Sequence, residues 1–294
     1  MSILYIVTAI GTFSQVKIQL LYFLEHPTAE SSLLSVLADH LNAEVVAGTI
    51  QSRQDALDYM TWTYFFRRLL QNPSYYGLEL EEGEEADLNR FLSSVVGRAL
   101  DQLELSYCLE FDEDGRGVYT TVLGRIASYY YLHHSTVQLF SDKLHGEVSV
   151  EELLKVLSDS TEFAELPVRH NEEHLNADLA KLCPFPVNQY TLDSAHKKMM
   201  LLLKAHLSRL PLPFSDYLTD TKGVLDNGAR VLQAMLDVTA ESGWLASSLR
   251  LVQTLQMLMQ ARWDTDSPFL QLPNIEQHML YLFKKSLPEL IRQE

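Results

Sequence analysis

The 294-residue chain has little of what most reaction centres are built from. Two cysteines, Cys108 and Cys183, are too few for a disulfide framework and fit a reducing compartment. Positive charge is scarce. Lys and Arg number 23 against 39 Asp and Glu, a formal net charge of −16, which argues against a protein whose main work is gripping phosphates. A local basic groove is compatible with that total. No G-x-x-x-x-G-K-[S/T] loop and no Gly-rich dinucleotide fingerprint occurs, which excludes an ATPase or Rossmann reading for this sequence taken alone. The G-x-S-x-G elbow of many hydrolases is absent as well. There is no internal repeat and no low-complexity tract. The apolar stretch Ser2–Ile10 is too short to span a bilayer. No Lys or Arg precedes it and no small-x-small cleavage site follows, so it reads as a buried strand or an atypical leader, not a secretion signal.

What is present in quantity is apolar and aromatic. The segment from Asp55 to Tyr76 reads DALDYMTWTYFFRRLLQNPSYY, with Tyr59, Trp62, Tyr64, Phe65, Phe66, Tyr75 and Tyr76 close together. Ser52 offers an N-cap, no Gly or Pro interrupts the run to Leu70, and Asn72-Pro73 stops it. Arg67 and Arg68 sit where cations suit the helix dipole. Apolar side chains fall on nearly every face, which predicts one helix buried among other elements.

Around it, Thr28–Leu41 and Ala86–Ser106 have helical period, and Leu78–Glu85 is an acidic loop. Tyr107–Phe111 and Val118–Val122 flank Asp112-Glu113-Asp114-Gly115, a hairpin signal. Three helices and a small hairpin make a winged helix. Beyond Leu123 the pattern is helical throughout. Gly124–Leu144 reads as one helix, and Ser149 with Glu152 is a capping box for the next. Glu172–Leu182, Ser194–Leu210, Thr219–Glu241 and Ala246–Trp263 follow. Pro268–Pro273 is a linker, and Asn274–Lys285 begins a last helix. The fold class is therefore mainly α: a winged helix followed by a helical bundle.

Three constellations carry potential chemistry. His170-Asn171-Glu172-Glu173-His174 fits H-x-x-E-H, the inverted zinc-protease pattern. Zinc needs a third protein ligand, no downstream acidic helix supplies one, and Pro167 puts His170 near a helix start. A helix N-terminus with acids in its first turn is the better reading. His133-His134, mid-helix after three tyrosines, suits packing and hydrogen bonding better than proton transfer. Met199, Met200, Met235, Met257 and Met259 suit the core better than a cofactor box. On Thr219–Glu241, Asp226, Arg230, Gln233 and Asp237 form a polar stripe, with Asn227 beside them. Such a stripe could line a single-strand channel. The alternative is a solvated face with an Asp226–Arg230 ion pair, and two aspartates would repel phosphates.

Several blocks in order, among them SSLLSVLADHLNAEVVAGTI (31–50), the aromatic segment, GRIASYYYLHHSTVQLF, ELPVRHNEEHLN, LLLKAHLSRL and GWLASSLRLVQTLQMLMQARW, resemble the Ski-two-like superfamily-two helicases with two tandem cassettes. The resemblance covers residues 24–288. It implies an atypical leader at 1–20, a winged-helix domain at 21–122, a helical-bundle "ratchet" domain of Sec63 type at 123–266, and the truncated start of a helix-hairpin-helix region at 267–294. It further implies that Asn227, Arg230 and, less directly, Gln233 face single-stranded nucleic acid in a complete cassette. No catalytic, cofactor or metal residue is implied for this chain. ATP and magnesium belong to the parent helicase, whose RecA-like domains and second cassette would be partners, along with other subunits of its complex. No membrane partner is expected. The family's settings imply nuclear and cytoplasmic work in alkylation repair, transcriptional coactivation and rescue of stalled ribosomes. A piece lacking both motor domains is expected to be non-catalytic and poorly soluble; the alternative is a protein-interaction module that binds partners through uncovered interdomain faces and makes no nucleic-acid contact.

Overall fold

The computed structural model describes residues 29–78, 84–170, 172–183 and 194–283. The leader at 1–20, most of the acidic loop at 78–85, the loop carrying Pro184 and Pro186, and the chain beyond 283 lie outside the described residues. Two compact units emerge. One takes residues up to Leu37 together with Ser52–Ala99, the other Ala38–Gln51 and everything from Leu100.

The element order is mainly α, as the sequence predicts. α1 (Leu33–Val46) is followed by α2 (Arg53–Thr61), α3 (Tyr64–Gln71), a 3-10 turn at Pro73–Tyr76 and α4 (Glu84–Leu105). The hairpin is two short strands, β1 (Leu109–Phe111) and β2 (Val118–Thr120), antiparallel with Glu110 opposite Tyr119. Asp112 makes the turn as expected: its carboxylate accepts the Arg116 N–H and its carbonyl accepts the Gly115 N–H, with Gly115 at φ 67°. The wing is also tied to the α1–α2 connection by the Val118 N–H on the Gln51 carbonyl, 2.9 Å.

The aromatic segment departs from its expectation twice. It is two helices, not one. Trp62 closes α2, and Thr63 takes extended backbone and accepts the Phe66 N–H on its hydroxyl, starting α3 with its own cap. Nor is it buried all round. Ala56, Met60, Phe65 and Leu69 are buried, whereas Trp62 is 87% exposed, and Tyr64, Leu70 and Tyr75 are exposed too. Arg68 does not serve the helix dipole alone. It is buried and forks onto Glu30 at 2.8 and 3.2 Å, and Asn72 and Tyr76 donate to the same carboxylate, each at 2.9 Å. Hydrogen bonds from Arg68 and Asn72 lower the Glu30 pKa to about 2.

In the larger unit, α5 (Val122–Tyr130), α6 (His134–Lys143), α7 (Val150–Asp159), α8 (Glu172–Leu182), α9 (Ala195–Leu207), α10 (Ser215–Glu241) and α11 (Leu245–Gln260) form the bundle. α10 is its axis, packing on α5, α7, α9 and α11. Leu153, Leu157, Met199, Leu202, Val231, Met235 and Leu251 are fully buried there. Met257 joins the core as predicted, but Met259 is exposed. Ser149 and Glu152 form the predicted capping box on α7. Gly124 is required by contact: a Cβ there would overlap the Cys108 carbonyl oxygen and crowd the Asn42 amide, whose nitrogen donates to the Gly124 carbonyl at 3.0 Å.

Gly124–Leu144 is a second correction. Its helix breaks at Tyr131, which adopts φ 52°, ψ 48°, and resumes at His134. His133 and His134 therefore stand at a helix start, not mid-helix. The break is held from outside. Glu162 accepts the His133 N–H at 2.9 Å and Asp39 accepts the His134 N–H at 2.8 Å, which satisfies donors that a helix start leaves unpaired.

Candidate nucleic-acid interface

α10 has 27 residues, so it runs roughly 40 Å. It starts at Ser215, four residues before the predicted bound, and ends at Glu241 as predicted. Its first turns are pinned by a buried charge network. Lys198 of α9, fully buried, donates to the Pro167 carbonyl at 2.6 Å and to Glu172 and Asp220, each at 2.7 Å. Arg169 donates to both of those carboxylates as well, at 2.9 and 2.7 Å. Burial pushes the Glu172 and Asp220 carboxyls up, but the bonds from Lys198 and Arg169 outweigh it and hold both below the usual carboxylate range. Tyr217, over whose ring the Lys198 ammonium sits at 5.2 Å, donates to Asn176 at 2.7 Å.

This network disposes of the H-x-x-E-H motif. Glu172 opens α8, is buried, and is committed to Lys198 and Arg169. His170 lies in the turn before α8, His174 is exposed, and Asn171 lies outside the described residues. The pair does not share one helical face.

The polar stripe is real but already occupied along much of its length. Arg230 does not pair with Asp226, which is exposed. Its guanidinium donates to the Tyr130 carbonyl at 3.1 Å, the Tyr131 carbonyl at 3.0 Å and the Asn227 side-chain oxygen at 2.9 Å. Arg230 thus caps the C-terminus of α5, where a cation meets unsatisfied carbonyls and the negative end of the dipole. Two turns on, Asp237 accepts the Tyr130 hydroxyl at 2.7 Å. Burial first, and the Asp237 carboxylate second, push the Tyr130 hydroxyl up to about 12. Asn227 and Arg230 are brought together and half-exposed, and Gln233 is exposed one turn further on.

Sequence reasoning missed the neighbours. Tyr131, whose carbonyl Arg230 holds, is 83% exposed, and Tyr129 is exposed as well. The three consecutive tyrosines were the available signal. Read as one continuous helix, they gave no reason for two of them to face solvent. The arrangement can do two things chemically: offer amide and guanidinium donors to an anionic backbone, and offer flat aromatic faces on which bases stack.

Comparisons with known proteins bear on most of the chain. Residues 120–290 match the Sec63 Brl domain and residues 30–113 match a Winged Helix-turn-helix domain. The chain is 57% identical over 267 residues to Activating signal cointegrator 1 complex subunit 3 of Rattus norvegicus, covering 90% of this chain and 12% of the relative. The same-named protein of Dictyostelium discoideum is 48% identical over 84% of this chain and 11% of the relative. A DExH-box ATP-dependent RNA helicase of Arabidopsis thaliana, DExH14, is 48% identical over 85% of this chain and 12% of the relative. The chain thus spans roughly one eighth of the length of the curated relatives it matches, and the region they share with it is the Sec63 domain with its winged helix, not a catalytic core.

Proposed function

Because this chain belongs to the Sec63 Brl domain family, in the form found in activating signal cointegrator helicase subunits, we propose that it serves as the non-catalytic C-terminal part of an ATP-dependent 3′-to-5′ helicase cassette. The winged helix braces the RecA-like motor domains, and α10 with the α5 terminus contacts the single strand that the motors move. ATP and magnesium act in the motors. The partners are those domains, the other cassette and the subunits of the activating signal cointegrator complex. The settings are nuclear and cytoplasmic: alkylation repair, transcriptional coactivation and ribosome rescue. Among the described residues no helix is long and apolar enough to cross a membrane.

The observation that carries the strand contact is the grouping of Arg230, Asn227 and Gln233 with two solvent-facing tyrosines. Each stacked base contributes about 1–3 kcal/mol. The test is a salt-dependent titration of a labelled single-stranded oligonucleotide by anisotropy, with the chain alone and in the full cassette. Tyr131→Gly keeps the left-handed backbone, and Gln233→Glu adds charge at an exposed position, so both spare the α5 cap. Each should weaken binding by roughly tenfold. Binding that ignores both substitutions in the full cassette would remove the strand contact from this face.

A second reading has its own observation. Trp62, Tyr64, Leu70 and Tyr75 are exposed within one short stretch, and exposed aromatics on this scale mark surfaces meant to be covered. With a net charge of −16, the chain would then be a protein-interaction scaffold with no nucleic-acid contact. Undetectable oligonucleotide binding together with retained capture of a complex subunit favours it.

A further inference from the structure

At the junction of α5 and α6, three donor groups meet that the strand contact does not use. Asp39 on α1, His133 and His134 bring one carboxylate oxygen and two ring nitrogens within 4.8 Å of one another. Among the described residues no other set of three His, Cys, Asp or Glu side chains does so. All three belong to the larger compact unit.

The local bonding orients these groups as ligands. Asp39 Oδ1 is committed to the His134 N–H at 2.8 Å, which leaves Oδ2 facing His133 Nε2 at 3.2 Å. That separation is close to the ~3.3 Å between two ligand atoms around a tetrahedral zinc with bonds of ~2.0–2.1 Å. On the far side of the His133 ring, Nδ1 lies 3.3 Å from the Ser135 hydroxyl, itself 2.7 Å from the Thr161 hydroxyl. When Ser135 donates to Thr161, its oxygen accepts the Nδ1 proton, and Nε2 is left bare towards Asp39. This is how outer hydrogen bonds fix a ligating imidazole. The His134 ring supplies an independent observation. Its Nδ1 is buried and has no hydrogen-bond partner among the described residues, which leaves that nitrogen's lone pair or proton uncommitted. Glu162 is adjacent, but its two oxygens are taken by the His133 N–H and the Thr136 hydroxyl, so it steadies the loop and is not a fourth ligand.

We propose that Asp39, His133 and His134 bind one divalent transition-metal ion of the zinc class, with water completing the shell, as a structural clamp between α1 and the start of α6. Two imidazoles and one carboxylate favour such an ion over magnesium or calcium, which prefer oxygen ligands throughout. Asp39 lies in the winged-helix match and the histidines in the Sec63 match, so the clamp joins the two sequence families within one compact unit. The competing account is that Asp39 caps α6 and pairs with His133, and no metal is involved.

The two accounts separate in a zinc chloride titration of the chelator-stripped chain by calorimetry, with metal content after dialysis and a cobalt(II) absorption spectrum alongside. The clamp gives one zinc per chain and raises the unfolding temperature. His134→Phe keeps the backbone bond to Asp39 but offers no ring nitrogen, and should abolish stoichiometric binding. Ser135→Ala keeps every ligand and should weaken binding by about tenfold. His170→Ala should change nothing. Absence of saturable zinc binding to the parent chain overturns the clamp, as does binding that survives His134→Phe in a chain shown to be folded by circular dichroism. Should His134→Phe fail to fold, an unchanged affinity in Ser135→Ala overturns it instead.

Discussion

The molecule breaks a helix in two places where the sequence reads a continuous one, and the two breaks have different origins. Between α2 and α3, the break is local. Thr63 takes extended backbone and its hydroxyl receives the Phe66 N–H, so a residue three positions away supplies the cap. Between α5 and α6, the break is held by Arg230, Asp39 and Glu162, at sequence distances of 29 to 100 residues. A local break costs one cap to remove. A break held from three other elements is a point where the bundle fixes its own geometry, and it is where the candidate strand contact and the metal clamp both lie.

The largest expected effect tests the foundation of the second break, the anchoring of α10. Lys198→Met leaves Glu172 and Asp220 buried without their ammonium and should destabilise the larger unit by about 3–5 kcal/mol. Chemical denaturation followed by circular dichroism reads it. Next comes the break itself. Arg230→Met uncaps the Tyr130 and Tyr131 carbonyls and should cost about 2 kcal/mol, with faster amide exchange in the last turn of α5. Equal exchange in the variant would make the long-range origin wrong. Thr63→Ala should cost about 1 kcal/mol and Thr63→Ser almost nothing, since the serine hydroxyl can cap as well. A Thr63→Ala chain whose α2 and α3 stay separate and whose stability is unchanged would assign that break to packing.

Acid sharpens the contrast further. Glu30 titrates near 2 in the folded chain against an ordinary 4.5. Its folded-state pKa is depressed, so its contribution is complete above about 4.5 and fades as pH falls towards 2. Carboxyl chemical shifts across that range should show Glu30 as a late-protonating group, and Arg68→Met should raise its pKa towards the ordinary range, with the Asn72 and Tyr76 bonds still holding it lower. The smallest effect belongs to Trp62→Ser, which should move stability by less than about 0.5 kcal/mol because the ring is 87% exposed, while reducing binding of an apolar dye. A large loss of stability would mean that the ring is buried by something.

Where structure follows from neighbours in sequence, it was legible. Ser52, Ser149 with Glu152, the Asp112 turn and the apolar period of α4 were readable because each depends on residues at most a few positions apart. The end of α10 at Glu241 and the closeness of Asn227 to Arg230 were readable for the same reason. What was not legible depends on distance. Nothing near Tyr131 announces that an arginine a hundred residues later holds its carbonyl. Nothing near Arg68 shows that Glu30 receives it, or near Glu172 that Lys198 does. At H-x-x-E-H the helix start with acids in its first turn was legible, but not that Glu172 is claimed by a different helix.

The Arg230 cap sets a valence. A guanidinium carries five N–H donors, and three of Arg230's are already spent on Tyr130, Tyr131 and Asn227. A phosphate that accepts the remaining two leaves α5 closed. One that draws a third releases the Asn227 side chain first, and only a fourth frees a carbonyl at the helix end that presents Tyr131. In the proposed strand contact, grip on the phosphates and closure of the α5 terminus would therefore draw on one set of hydrogen atoms. A hold on the backbone that takes no more than the free donors and the one on Asn227 would keep the tyrosine in place, and a tighter one would let it go.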